Sequence, residues 1–133
     1  MILKLKIFLS GNYESKLTRA NIQKYLENKY YDVVDFQPYG NYVLDAMGLC
    51  NTVKINSGTN VGFLFCNYGQ NLQFAIKNNI KSVVVTKENC FKQSTYLNTS
   101  VLIFSLQNFN EDEIIKIIVY YLELFEQGNL IFY

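Results

Sequence analysis

Histidine is absent from the 133 residues, and arginine occurs once, at Arg19. The first absence removes the side chain most often used as a general base near neutral pH. The second limits bidentate guanidinium recognition of phosphate to one position per chain. Cysteine is sparse. Cys50, Cys66 and Cys90 are odd in number and widely spaced, so they form neither a disulfide framework nor a paired metal motif. A reducing cytoplasm is the expected setting. Neither sign of charge is in excess: 12 basic and 11 acidic residues leave a net +1, without a basic patch or acidic tail. That balance counts against nucleic acid and membrane surfaces as partners. No apolar run approaches the length of a membrane span. Residues 1–9 alternate around Lys4 and Lys6 as a strand does, and lack the apolar core and small-residue cleavage site of a signal peptide.

What is present is apolar and aromatic. Half of the residues are hydrophobic and 16% are aromatic, enough to bury a real core in one domain spanning 1–133. The enrichment in Asn, Lys, Ile and Tyr is consistent with an AT-rich genome. Residues 3–9 read as a strand, which Ser10-Gly11-Asn12 breaks. Residues 16–29 are helical, with Leu17, Ala20, Tyr25 and Leu26 on one stripe and Ile22 at its edge. Residues 32–36 are a short strand, and Pro38 and Gly40 mark a loop. A helical stripe follows at Val43, Ala46, Met47, Cys50 and Val53. Strands are expected at 61–65, at 80–86 around the β-branched run Val83-Val84-Val85, and at 101–104. Helices are expected at 72–77 and 88–95. The last helix is capped by Asn110, carries Glu111, Asp112 and Glu113 in its first turn, and runs to near Gly128. The apolar tail Leu130-Ile131-Phe132-Tyr133 is expected to dock on its own domain or on a partner subunit.

Strands and helices alternate throughout, and short strands that are apolar on both faces belong in a parallel sheet covered on both sides. The expected fold is therefore α/β: a three-layer, Rossmann-like domain with a five-stranded parallel sheet flanked by helices. Within it the run Val61-Gly62-Phe63-Leu64-Phe65-Cys66-Asn67-Tyr68-Gly69-Gln70-Asn71 is the most informative. It reads as a buried strand, a polar turn and the start of an amphipathic segment. Ligands of open α/β sheets bind at such junctions, where the loop and free helix N–H groups meet beyond the strand's carboxyl end. Cys66 stands at the strand tip. A thiolate favoured by loop amides and a helix dipole could act there as a base. The competing reading is a small packed residue, since free cysteine is among the most buried residue types. Cys50 and Cys90 are expected to be packing residues.

Several further stretches join this one: Lys6-Ile7-Phe8-Leu9-Ser10-Gly11-Asn12, Ile22-Gln23-Lys24-Tyr25-Leu26, Tyr31-Asp32-Val33-Val34-Asp35-Phe36, Gly62-Phe63-Leu64-Phe65-Cys66, Ala75-Ile76-Lys77-Asn78, Ile80-Lys81-Ser82-Val83-Val84-Val85, Asn98-Thr99-Ser100-Val101-Leu102 and Phe125-Glu126-Gln127-Gly128. In order and spacing the chain resembles, over nearly its whole length, the ribose-5-phosphate isomerase B / galactose-6-phosphate isomerase family. The resemblance implies aldose–ketose isomerisation of a phosphorylated sugar in carbohydrate metabolism, of the pentose phosphate type, without metal or cofactor. It implies a homodimer or homotetramer with active sites at the subunit interface, or a hetero-oligomer with a paralogue. It also assigns roles. Cys66 matches the cysteine that shuttles the proton between two sugar carbons. The loop Asn67, Tyr68, Gly69, Gln70, Asn71 matches the one whose backbone N–H groups hold the enediolate oxygens. Asn12 and Tyr13 fall at the positions of a sugar-contacting pair. Together with Tyr68 and Asn98 they could line an altered pocket; the competing reading is loop residues that drifted once a constraint was lifted.

The departures from the family pattern are specific. Its Asp-His pair after the first strand is Asn12-Tyr13 here. Its Gly-Thr-Gly turn is Asn67-Tyr68-Gly69, which places a ring where a small hydroxyl stood, and the next glycine is Asn71. Added Cβ atoms crowd a backbone that must approach its ligand closely. The ring-opening histidine falls near Tyr96, and the phosphate-binding arginines beyond the final helix have no counterpart among these residues. Lys77, Lys87 and Lys92 are the remaining phosphate candidates. Arg19 is expected to be solvated or at an interface. Losing several charge-assisted contacts, each worth roughly 1.5–3 kcal/mol, would weaken phosphate binding by orders of magnitude. Two functional readings follow: an isomerase with Cys66 as proton shuttle, impaired by these changes, or a non-catalytic relative acting as a structural subunit. A binding module for another small metabolite is a third.

Overall fold

The computed structural model describes residues 5–56, 59–66, 83–85 and 101–126, with positions 66, 83 and 84 described by their backbone alone. Five strands lie in one sheet: β1 (Lys6–Gly11), β2 (Asp32–Asp35), β3 (Asn60–Cys66), β4 (Val83–Val85) and β5 (Val101–Ser105). Their order is β2-β1-β3-β5-β4, and every neighbouring pair is parallel. The helices are α1 (Lys16–Asn28), α2 (Tyr42–Ile55) and α3 (Glu111–Glu126). The expected helices over 72–77 and 88–95 and the tail at 130–133 lie outside the described residues.

Strand alternation sorts the side chains into two layers. Ile7, Leu9, Val33, Val61, Phe63, Phe65, Leu102 and Phe104 pack with Ile22 and Leu26 of α1 and with Ile114, Ile118, Tyr121 and Phe125 of α3. On the other face, Phe8, Leu64, Val101 and Ile103 pack with Ala46, Leu49, Cys50 and Val53 of α2. These two layers and the sheet between them make the three-layer arrangement. The α2 helix lies very close at Gly62, where an added Cβ would fall 2.5 Å from Leu49 Cδ2 and 3.1 Å from Val53 Cγ2.

Capping explains where the helices begin. The Asn110 side chain accepts from the Glu113 N–H at 2.8 Å, and the Glu113 carboxylate accepts from the Asn110 N–H at 3.0 Å. This reciprocal pair starts α3 at the expected place. Asn41 accepts from the N–H groups of Val43 and Leu44 at 3.0 and 3.2 Å and starts α2. At the end of α1, the Tyr30 N–H donates to the Glu27 carbonyl and the Tyr31 N–H to the Leu26 carbonyl. That is a Schellman closure with a tyrosine, at φ 68°, where glycine is usual.

Three expectations are corrected. Ser10 and Gly11 do not break β1; they are its last two residues, because the pairing with β3 continues through Ser10 opposite Leu64 and Gly11 opposite Phe65. The buried stripe of α1 is Arg19, Ile22 and Leu26, while Leu17 is 73% exposed and Ala20 is exposed. The core face of α2 likewise shifts onto Leu49, fully buried, and away from Met47. In both helices the stripe is set by what packs against it, and for α1 this includes acceptors for a guanidinium from β2 and from the turn before the helix.

Candidate functional site

The chain leaves β1 for β2 on one side and returns to β3 on the other. The carboxyl ends of β1 and β3 are therefore the switch point of the sheet, the place at which open α/β folds bind ligands. Gly11 brings these two ends together. A Cβ there would meet the Ser15 hydroxyl and come within 2.5 Å of the Phe65 carbonyl oxygen, so only glycine lets β1 lie this close to the end of β3. The next residue extends the contact, because the Asn12 N–H donates to the Phe65 carbonyl at 3.3 Å. Asn12 is thereby fixed beside the residue preceding Cys66.

Asn12 then opens a tight turn over Tyr13–Ser15. Its side-chain oxygen accepts from the Ser15 N–H at 3.2 Å, and its carbonyl accepts from the Ser15 hydroxyl at 2.7 Å. The carbonyl oxygen of the Asn12 amide is thus engaged in capping, leaving the amide nitrogen as the group with which this side chain could meet a ligand. Tyr13 projects from the turn and is 83% exposed.

Behind the turn lies Arg19, 2% exposed. Its Nε donates to the Ser15 hydroxyl at 2.8 Å and its Nη2 to the Asn12 carbonyl at 3.2 Å. Its Nη1 donates to Asp35 at the end of β2, in an ion pair that neutralises the buried charge. The other Asp35 oxygen accepts from the Gln37 amide at 2.8 Å. Arg19 is therefore neither solvated nor at an interface within this fold: it is buried because every acceptor it needs converges there.

Cys66 is the last residue of β3, in register with Ser105 of β5. It shares strand parity with Gly62 and Leu64, positions that belong to the α2 layer. Along that parity the strands become small and polar at their carboxyl ends: Phe8 is followed by Ser10, and Ile103 by Ser105. Ser10 is fully buried, and its hydroxyl has no hydrogen-bond partner among the described residues. Nearby, the buried Asp45 of α2 accepts from the Tyr39 N–H at 2.8 Å and ties down the loop that precedes α2.

The perturbed groups lie away from this edge. Burial pushes the Cys50 thiol up to about 12, making it a poor nucleophile and an apolar packing residue, as expected from its place on α2. Burial also raises Tyr121, and burial followed by a hydrogen bond to the Glu126 carboxylate raises Tyr31. Among the described residues no three of Cys, Asp or Glu converge as metal ligands, and no helix is long and apolar enough to cross a membrane.

Of the expected site residues, Asn12 lies against the end of β3 through its bond to Phe65, next to the backbone of Cys66, and Tyr13 follows it in an exposed position. Asn67, Tyr68, Gly69, Gln70, Asn71 and Asn98 lie outside the described residues, as do Cys90, Lys77, Lys87 and Lys92. Arg19 and Ser10 were missed as parts of this edge. The signal for Arg19 was its spacing: Ser15, Arg19, Ile22 and Leu26 recur at four, three and four residues, one helical face. A reading that assigns charged residues to solvent discards that face.

No family model and no curated protein sequence matches the chain. Solved structures do. Ribose-5-phosphate isomerase B from Mycoplasma genitalium, with bound ribulose-5-phosphate, superposes with a TM-score of 0.74 and 23% identity, covering 98% of this chain and 87% of that one. The enzyme from Thermotoga maritima gives 0.73 and 18% identity, covering 96% of this chain and 88% of that one. The Anaplasma phagocytophilum enzyme gives 0.67 and 23% identity, covering 99% and 90%. Across nearly its full length, the chain has the α/β fold of ribose-5-phosphate isomerase B structures.

Proposed function

We propose that the switch point between β1 and β3 is a sugar-phosphate site, and that the chain is a divergent aldose–ketose isomerase in which Cys66 moves the proton. One observation carries the reading most directly. The Asn12 N–H bonds the Phe65 carbonyl, which holds the β1 turn against the tip of β3 at the switch point of this fold. The likeness to a structure containing ribulose-5-phosphate supports the ligand class. In the proposed step, the Cys66 thiolate takes the proton from the hydroxyl-bearing carbon beside the sugar carbonyl and returns it to the former carbonyl carbon, while the hydroxyl proton passes from one of the two oxygens to the other. Hydrogen-bond donors hold the enediolate oxygens meanwhile. The reaction is an internal redox exchange and needs no external oxidant. With no histidine in the sequence, Cys66 is the group proposed as base.

A second reading, a non-catalytic subunit of the same fold, is favoured by the Asn12-Tyr13 pair. The Asn12 oxygen is committed to its own turn and Tyr13 stands in solvent. A single set of measurements separates the two. Purified protein is incubated with ribose 5-phosphate, ribulose 5-phosphate and galactose 6-phosphate, and conversion is followed for the natural chain and for Cys66→Ser. The isomerase reading expects slow turnover that falls about 100-fold or more in the variant. Sugar-phosphate binding by thermal shift without turnover selects the non-catalytic reading. Absence of both turnover and binding removes the site assignment.

A further inference from the structure

We infer that Arg19 is a positioning residue of the proposed sugar-phosphate site, acting through the turn that carries Asn12 and Tyr13; the ligand half of this inference rests on the function proposed above. The observation is where its acceptors lie. A buried arginine that only stabilised the fold could satisfy its donors anywhere in the surrounding core. Here the Ser15 hydroxyl and the Asn12 carbonyl bracket Tyr13, and the third acceptor, Asp35, anchors the fork to the end of β2. The Ser15 hydroxyl passes the constraint on, since it accepts from Arg19 Nε and donates its own proton to the Asn12 carbonyl.

The planar fork is what makes this possible. Three of the five guanidinium N–H donors point at three acceptors from two separate segments, the 12–15 turn and β2. The ammonium of a lysine is a single centre on a flexible stem, so it can keep the ion pair with Asp35 while losing the simultaneous grip on Ser15 and Asn12. The Asp35 side chain is 32% exposed, so water can share its charge when the partner changes. The Asn12 N–H to Phe65 contact is then the one described bond holding the turn to β3.

The test compares Arg19→Lys with the natural chain by amide hydrogen exchange and by titration with ribulose 5-phosphate. Amides of Asn12 and Ser15, the two hydrogen-bonded ones of the turn, are expected to exchange about tenfold faster, while those of Ile7 and Leu9 in β1 keep their protection; loss of one charge-assisted hydrogen bond has this scale. The ribulose 5-phosphate dissociation constant is expected to rise by a similar factor. Unchanged turn amides in a folded Arg19→Lys overturn the inference. Equal loosening of turn and strand also overturns it, because it marks a purely structural role. If Arg19→Lys does not fold, Ser15→Ala, which removes one acceptor and the relayed proton, carries the same comparison. Selective loosening without any sugar-phosphate binding by the natural chain upholds the clamp and sinks the ligand reading. Selective loosening with unaltered affinity overturns the positioning role and leaves the site assignment standing.

Discussion

The two faces of the sheet are built differently. Toward α1 and α3 the strands stay large and aromatic up to the carboxyl edge. Phe65 stacks on Phe104 with ring centroids 5.6 Å apart, Phe63 meets Tyr121 edge-on at 5.9 Å, and Phe104 meets Phe109 edge-on at 6.2 Å. Toward α2 the described side chains become small near that edge. Gly62 admits Leu49 and Val53, and Ser10 and Ser105 succeed Phe8 and Ile103 near the edge. The contrast separates two jobs. Interlocking rings at native density resist rearrangement and supply much of the apolar burial. A face that turns small and polar at the end of its strands gives up packing energy there and leaves polar groups at that edge. Cys66 occupies a strand position of that second parity, which is why the α2 side of the edge is the place to look for chemistry.

Breaking the aromatic face should have the largest effect. Phe63→Ala removes a fully buried ring from contact with both Phe104 and Tyr121, and is expected to lower unfolding free energy by about 3–5 kcal/mol in urea titration. A loss below about 1 kcal/mol would mean that this face is not the tightly packed one.

Alkaline titration should show the next largest effect, with the α2 face contributing through Cys50. Its folded-state pKa lies near 12 against an ordinary 9.0, so the folded protein holds the proton more tightly than the unfolded chain. The resulting stability is fully present below pH 9 and is lost as the pH rises toward 12. Its size is on the order of a few kcal/mol, since each tenfold change in proton affinity is worth about 1.4 kcal/mol. Burial of Tyr121 acts in the same direction on the aromatic face. Stability measured from about pH 8 to 12 should therefore fall, less steeply in Cys50→Ala. A flat profile in the natural chain would refute the buried thiol. At about pH 8 a disulfide reagent should leave Cys50 unlabelled until the protein unfolds.

The smallest effect sharpens the comparison at the edge itself. Ser10→Ala removes a buried hydroxyl that has no partner among the described residues, so it should leave stability within about 1 kcal/mol of the natural chain, on the neutral or stabilising side. A substantial loss would show that the hydroxyl is already satisfied and that the edge is packed like the rest of the sheet.

Much of this fold was legible from residue order. The apolar runs at 61–65 and 101–104 are β3 and β5 within a residue or two, and Val83-Val84-Val85 is β4. Asn110 and the acidic turn after it announced the start of α3, because a cap acts over only three residues; the structure adds the reciprocal bond from Glu113. The position of Cys66 at the end of β3 was also legible, since it closes an apolar run. The end of β1 was not, because Ser10 and Gly11 carry turn chemistry in isolation and become strand only when Leu64 and Phe65 lie beside them. Nor was the buried face of α1, because hydropathy alone ranks Leu17 above Arg19.

What the sequence by itself determined are the features of short reach: alternation along strands, caps at helix starts, and a cysteine closing a buried run. Tertiary structure decided which charged side chain could enter the core and how the β1 turn is held. Arg19 is buried only because Asp35, sixteen residues away, arrives at the end of β2 while Ser15 and Asn12 turn back over it. A guanidinium costs several kcal/mol to dehydrate alone, and that cost is offset only when acceptors from separate segments converge on it, a condition that exists after the chain has folded and not before.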